Sequence, residues 1–123
     1  MKIAIPANDK SLESGVCPAF GRAPCFLLYE TESKEYDFID NDAAGAHGGA
    51  GVAAAQKLVD NKIDVLICPR CGQNAAQVLQ ADDVKIYLSE SISIPDTIAA
   101  FEKGDLVPLT PQRAGINKFR GKA

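Results

Sequence analysis

The chain has 123 residues, of which 46% are hydrophobic and 24% charged, and its formal net charge is −3. These values are typical of one globular domain and argue against a disordered chain or a membrane protein, whose spanning helices need about 20 apolar residues. Residues 111–123 carry four basic residues and no acidic one, whereas residues 1–110 carry 9 basic and 16 acidic residues. An acidic body argues against nucleic-acid binding. We therefore expect a single domain over 1–110 and a basic, flexible tail over 111–123.

Short apolar strands alternate with helices along the chain. Strands are predicted at residues 2–6, 25–31, 35–40, 64–68 and 84–88, with a small edge strand at 105–109. Helices are predicted at 52–61, 74–80 and 94–103, and Ser93 is the expected N-cap of the last helix. Residues 7–22 read as a long loop and residues 25–40 as a hairpin. This order predicts an α/β fold with a mixed sheet flanked by helices and right-handed crossovers between the later strands.

Four cysteines provide the strongest chemical signal, in the pairs Cys17 and Cys25, and Cys68 and Cys71. The second pair is a C-x-x-C run that directly follows a buried strand. Thiolates in such a pattern bind soft metals, hold iron–sulfur clusters or exchange electrons as a dithiol. The N-terminus lacks the long apolar stretch of a signal peptide, so a cytoplasmic location is expected. Structural disulfides are rare in that reducing compartment.

Ligands of an open α/β sheet bind beyond the carboxyl ends of its strands. The loop at residues 7–22, the glycine-rich stretch around His47 and the turn at residues 68–72 should meet there. Cys17, Cys68 and Cys71 could then face one another, whereas Cys25 is either a fourth ligand or a buried packing residue. The other residues predicted to contact a ligand, through positive charge, the histidine ring or a close backbone approach, are Arg22, His47, Gly49, Gly51, Arg70 and Gly72.

An ordered set of segments resembles a known family over roughly residues 1–110. The set consists of Met1-Lys2-Ile3-Ala4-Ile5-Pro6, Phe20-Gly21-Arg22-Ala23-Pro24, His47-Gly48-Gly49-Ala50-Gly51-Val52, Asp64-Val65-Leu66-Ile67 and Gly72-Gln73-Asn74-Ala75. The chain thereby resembles the nitrogenase iron–molybdenum cofactor-binding accessory proteins, which include NifX-like proteins and the tail domain of NifB. The resemblance implies a three-layer α/β/α fold of ribonuclease H-like topology, in which the first three strands are antiparallel. It also implies that the protein binds, carries or stores a metal–sulfur cluster or its precursor without catalytic turnover.

Two departures from the family pattern concern the cysteines. The family often has a histidine where this chain has Ala19, and a glycine-rich turn where this chain has Cys68-Pro69-Arg70-Cys71. These departures argue against the iron–molybdenum cofactor itself and favour a site with the chain's own cysteine ligands, such as an iron–sulfur cluster. The expected cofactor is therefore a metal–sulfur cluster, either iron–sulfur or molybdenum-containing. The expected partners are proteins that donate or accept the cluster, with no nucleic acid and no membrane, and the chain is expected to be a monomer or weak homo-oligomer. Two alternatives remain, a redox-active or redox-sensing C-x-x-C dithiol and an interaction module with a structural four-cysteine zinc site.

Overall fold

The computed structural model describes residues 1–45 and 49–109. Within these ranges six strands form one mixed sheet in the order β3-β2-β1-β4-β5-β6. The strands are β1 Lys2–Ala7, β2 Cys25–Glu30, β3 Tyr36–Asp40, β4 Val65–Cys68, β5 Lys85–Leu88 and β6 Val107–Pro108. β2 is antiparallel to both of its neighbours, β1 and β3. β1, β4 and β5 are parallel, and β6 is antiparallel to β5. The predicted fold class is confirmed, and this topology is compatible with a ribonuclease H-like fold.

Helices cover both faces of the sheet. They are α1 Ala50–Asp60, α2 Gln73–Ala81 and α3 Ile94–Lys103, and short 3₁₀ turns lie at Phe20–Arg22 and Asp42–Gly45. Successive residues of a strand point to opposite faces, so β1 contributes Ala4 to one core cluster and Ile3 and Ile5 to the other. The first cluster contains the buried side chains of α1 and α2, and the second contains those of α3. The result is the expected three-layer arrangement.

The α1–α2 pair packs closely because its facing residues are small. Ala54 and Ala55 of α1 are fully buried, and a Cβ on Gly51 would lie 3.6 Å from the Cβ of Ala75 in α2. α1 begins two residues earlier than predicted. Its buried residues include Ala54, Ala55 and Leu58, whereas Val52 is 37% exposed.

The predicted ends of α3 are confirmed. The Ser93 Oγ accepts a hydrogen bond of 3.2 Å from the Asp96 N–H, and Gly104 ends the helix with a φ of +78°. Ser93 is thus the N-cap that the sequence predicted, and Gly104 is a left-handed C-cap of the kind that glycine favours. No helix within the described ranges is long and apolar enough to cross a membrane. His47 and the basic segment 111–123, for which we made predictions, lie outside the described residues.

Candidate functional site

A cleft opens where three segments meet at the carboxyl ends of β1 and β4. The loop after β1, the start of α1 and the start of α2 line a cavity of about 560 Å³. Small-molecule sites usually enclose about 300–1,000 Å³, so this volume suits a compact ligand. Five of the predicted ligand-contacting residues line the cavity, namely Arg22, Gly49, Gly51, Arg70 and Gly72.

The 3₁₀ turn Phe20–Arg22, which lines the cleft, lies against the first turn of α1. A Cβ on Gly21 would lie 2.8 Å from both the Cα and the N of Gly51, which are backbone atoms that cannot move aside easily. Buried Asn41 holds the turn in place, since its Nδ2 donates to the carbonyl oxygens of Gly21 at 3.1 Å and Ala23 at 2.8 Å. Sequence reasoning did not assign a role to Asn41 or a packing role to Gly21.

Two helix N-termini border the cavity without side-chain caps. The N-cap of α1 is Gly49, with a φ of +68°, and the N-cap of α2 is Gly72. Neither glycine would bring a Cβ within 4 Å of another described atom, so the space in front of both helices is open. Each N-terminus carries the equivalent of roughly +0.5 charge. Together with Arg22 and Arg70, the two helices make this cleft suitable for an anion.

Cys68 and Cys71 form a hydrogen-bonded pair beside the cleft. Cys68 is the last residue of β4 and is fully buried, whereas Cys71 is partly exposed. The Cys68 thiol donates to the Cys71 sulfur, which raises the pKa of Cys68 together with its burial. The same hydrogen bond lowers the pKa of Cys71. The pair therefore favours one accessible thiolate supported by one buried thiol.

Cys17 and Cys25 lie farther along the same end of the sheet, in different surroundings. The Cys17 N–H donates to the Pro6 carbonyl at 2.9 Å, and its side chain belongs to the core cluster that contains Cys68. Cys25 belongs to the opposite cluster, on the α3 face, and its Sγ lies 3.7 Å from the Ala7 carbonyl oxygen. Burial is the largest cause of the raised pKa of Cys25.

The expected meeting of three thiols is not present among the described residues. Within residues 1–45 and 49–109, no three His, Cys, Asp or Glu side chains are grouped so that they could hold a metal ion. Only Cys68 and Cys71 are directly paired. The four-cysteine zinc alternative is not supported, because Cys25 and Cys68 are on opposite faces of the sheet.

The family model of the dinitrogenase iron–molybdenum cofactor matches residues 1–104, which is most of the chain. The chain belongs to this family. The resemblance inferred from the sequence is thereby confirmed, and membership supports a cofactor-binding accessory role. Among curated proteins, none matches the chain.

Several solved structures are similar to this chain over most of its length. The apo form of the orange protein from Desulfovibrio gigas is 28% identical, with a TM-score of 0.83 over 87% of this chain and 91% of that chain. A NifB-like protein from Thermotoga is 34% identical, with a TM-score of 0.78 over 97% of this chain and 98% of that chain. A dinitrogenase-like protein from Methanocaldococcus jannaschii, at 18% identity and a TM-score of 0.71 over 89% of this chain and 95% of that chain, shares the fold.

Proposed function

We propose that this protein binds and carries an anionic metal–sulfur cluster, or a precursor of one, in the cleft between the 3₁₀ turn and the starts of α1 and α2. The observation that carries the proposal is the combination of two uncapped helix N-termini, two arginines and an adjacent pair of thiols around one cavity. Family membership supports the same type of cargo.

The charge of the cleft suits a cluster rather than a single cation. Clusters with bridging sulfides and thiolate ligands carry net negative charge, and the sulfides accept hydrogen bonds from backbone N–H groups. The open glycine N-caps at Gly49 and Gly72 leave such groups accessible. A bare dication would instead be repelled by Arg22, Arg70 and the helix N-termini.

Cys71 and Cys68 are the proposed metal ligands. Cys71 is partly exposed and favours the thiolate, which is the form that binds metals. Cys68 interacts directly with Cys71. Cys17 shares the core cluster of Cys68 but is not grouped with the pair closely enough to share a metal ion, so we do not include it. We leave Cys25 out of this set because it lies on the α3 face.

The proposed role is a carrier without catalytic turnover. The described lining of the cavity consists of backbone, two arginines, amides and apolar side chains, with no carboxylate among them, and Cys71 lies between the lining residues Arg70 and Gly72. Such a lining holds an anion through charge and hydrogen bonds and offers no paired acid and base. Proteins that deliver or receive the cluster are the proposed partners, and His47, which lies outside the described residues, is proposed as an additional ligand or proton donor.

Anaerobic reconstitution with ferrous iron and sulfide tests this function. We expect the wild-type protein to acquire iron, sulfide and a visible absorption band, and the Cys68→Ser/Cys71→Ser double variant to retain at most a tenth of that iron. Cys25→Ala is the matched control, because it removes a buried thiol from the other face and should load like wild type. Absence of iron from the wild-type protein, or equal loading of the double variant, would contradict the proposal.

A further inference from the structure

The two thiols of the pair differ sharply in their exposure to solvent. Cys68 is at the carboxyl end of β4 and has no exposed surface, whereas Cys71 is partly exposed in the irregular segment just before α2. The Cys71 side chain packs against the core cluster that contains Cys68, and the two thiols interact directly. A small disulfide from solvent therefore meets the Cys71 sulfur before the Cys68 sulfur.

We propose that Cys68 and Cys71 form a reversible disulfide and that formation of this disulfide releases the metal–sulfur cluster from the cleft. We call this redox-controlled release the latch. The latch rests on the proposed function, but disulfide formation itself does not. A disulfide sulfur is no longer a thiolate, so both proposed ligands would be lost in one step.

A small-molecule disulfide is the oxidant in the proposed reaction. The Cys71 sulfur attacks one sulfur of that molecule, breaks its S–S bond and releases one small thiolate, leaving a mixed disulfide on Cys71. The Cys68 sulfur then gives up its proton and attacks the Cys71 sulfur, which forms the protein disulfide and releases the second small thiolate. Two protein thiols are oxidised, one small disulfide is reduced to two thiols, and the Cys68 proton ends on a released thiol.

The two cysteines differ in how firmly the backbone around them is held. Cys68 is held through its backbone, since it is paired with Leu88 of β5 and its carbonyl accepts from the Ser89 N–H at 3.1 Å. The Cys68 sulfur interacts with the Arg70 backbone N–H, in the segment between β4 and α2. Cys71 lies between β4 and α2, and the first α-helical bond of α2 runs from the Ala76 N–H to the Gly72 carbonyl at 2.9 Å. We therefore expect the adjustment that the disulfide requires in the segment that joins the two elements.

The first measurement follows the disulfide in protein that holds no metal. The protein is equilibrated without oxygen in mixtures of reduced and oxidised glutathione, and its free thiols are alkylated and located by mass spectrometry. We expect Cys68 and Cys71 to be lost together at a single midpoint while Cys25 stays free. In the Cys68→Ala variant, Cys71 should stop at the mixed disulfide with glutathione. Four free thiols at every ratio, or a wild-type protein that also stops at the mixed disulfide, would overturn the proposal.

The second measurement follows release. Protein loaded with iron and sulfide is freed of excess reagents and treated with oxidised glutathione, and bound iron and free thiols are measured in the same samples. We expect at least a tenfold loss of iron, in step with the disulfide, and recovery after reduction and reloading. Reduced glutathione at the same concentration controls for ligand competition, and Cys25→Ala should behave like wild type.

The outcomes separate the two proposals. If the reduced wild-type protein never takes up iron, the proposed function falls and the latch falls with it. If the protein loads but retains its iron after the disulfide has formed, only the latch falls. Iron that leaves while Cys68 and Cys71 remain free to be alkylated also overturns the latch and leaves the carrier function intact.

Discussion

Replacement of Gly21 by alanine is the sharpest test of how the cleft is built. The added Cβ would lie 2.8 Å from the Cα and the N of Gly51 and 3.1 Å from the carbonyl carbon of Ala50. Nonbonded carbon atoms pack best at about 3.5–4.0 Å, so the 3₁₀ turn or the start of α1 must move by several tenths of an ångström. All three contacted atoms belong to backbone, so no side-chain rotation can relieve the clash.

The expected cost follows from overpacking at a tight contact. Forcing an extra carbon into a well-packed region typically costs about 1–3 kcal/mol. With a urea m-value of roughly 2 kcal/mol/M for a chain of this size, a loss of about 2 kcal/mol lowers the unfolding midpoint by about 1 M. The same displacement changes the spacing between the turn and α1 at the cleft, so iron uptake in the reconstitution assay should also fall.

The assay is urea unfolding followed by circular dichroism, with Gly45→Ala as the matched control. A Cβ on Gly45 would meet nothing within 4 Å, and its φ is not in the left-handed region, so this change should shift the free energy of unfolding by less than about 0.5 kcal/mol. A Gly21→Ala protein as stable as the Gly45→Ala protein, with normal iron uptake, would refute the close-approach reasoning.

Three further substitutions or titrations probe other parts of the structure. Asn41→Ala leaves the carbonyl oxygens of Gly21 and Ala23 without their buried donor, so the free energy of unfolding measured in urea should fall by about 1–3 kcal/mol. A fall of less than about 0.5 kcal/mol would contradict the role given to Asn41. Ser93→Ala removes the N-cap of α3 and should lower the free energy of unfolding by about 1 kcal/mol, whereas Ser93→Gly should lower it by only a few tenths. Equal losses in the two variants, measured by thermal or urea unfolding, would argue against a capping role for Ser93. Since the Cys68 hydrogen bond lowers the pKa of Cys71, the alkylation rate of Cys71 should rise with pH at a lower midpoint than for an ordinary thiol. Cys68→Ala removes that hydrogen bond and should move the midpoint upward, and an unchanged midpoint would show that Cys68 does not stabilise the thiolate.

Local sequence signals predicted the elements well where a chemical feature marks their ends. Ser93, Asp96 and Gly104 mark α3 because capping depends on residues close together in the chain. The start of α1 was predicted two residues late because Ala50 and Gly51 carry weak local signals. The close packing of Gly51 against Gly21 and Ala75, which explains the need for small residues there, joins segments far apart in sequence.

The amino-acid sequence by itself determined the α/β fold class, the family and the C-x-x-C pair after β4, since each depends on local pattern or ordered motifs. Only the tertiary structure decided which face of the sheet each of the four thiols lies on. In β2, Cys25 is in register with Ala7 and points to the α3 face, whereas Cys68 points to the face of α1 and α2. Strand side chains alternate between faces, so a shift of one residue in register would exchange these environments. Register depends on pairing and core packing across the whole sheet, which is why cysteine spacing alone predicted four candidate ligands and the fold brought two of them into contact.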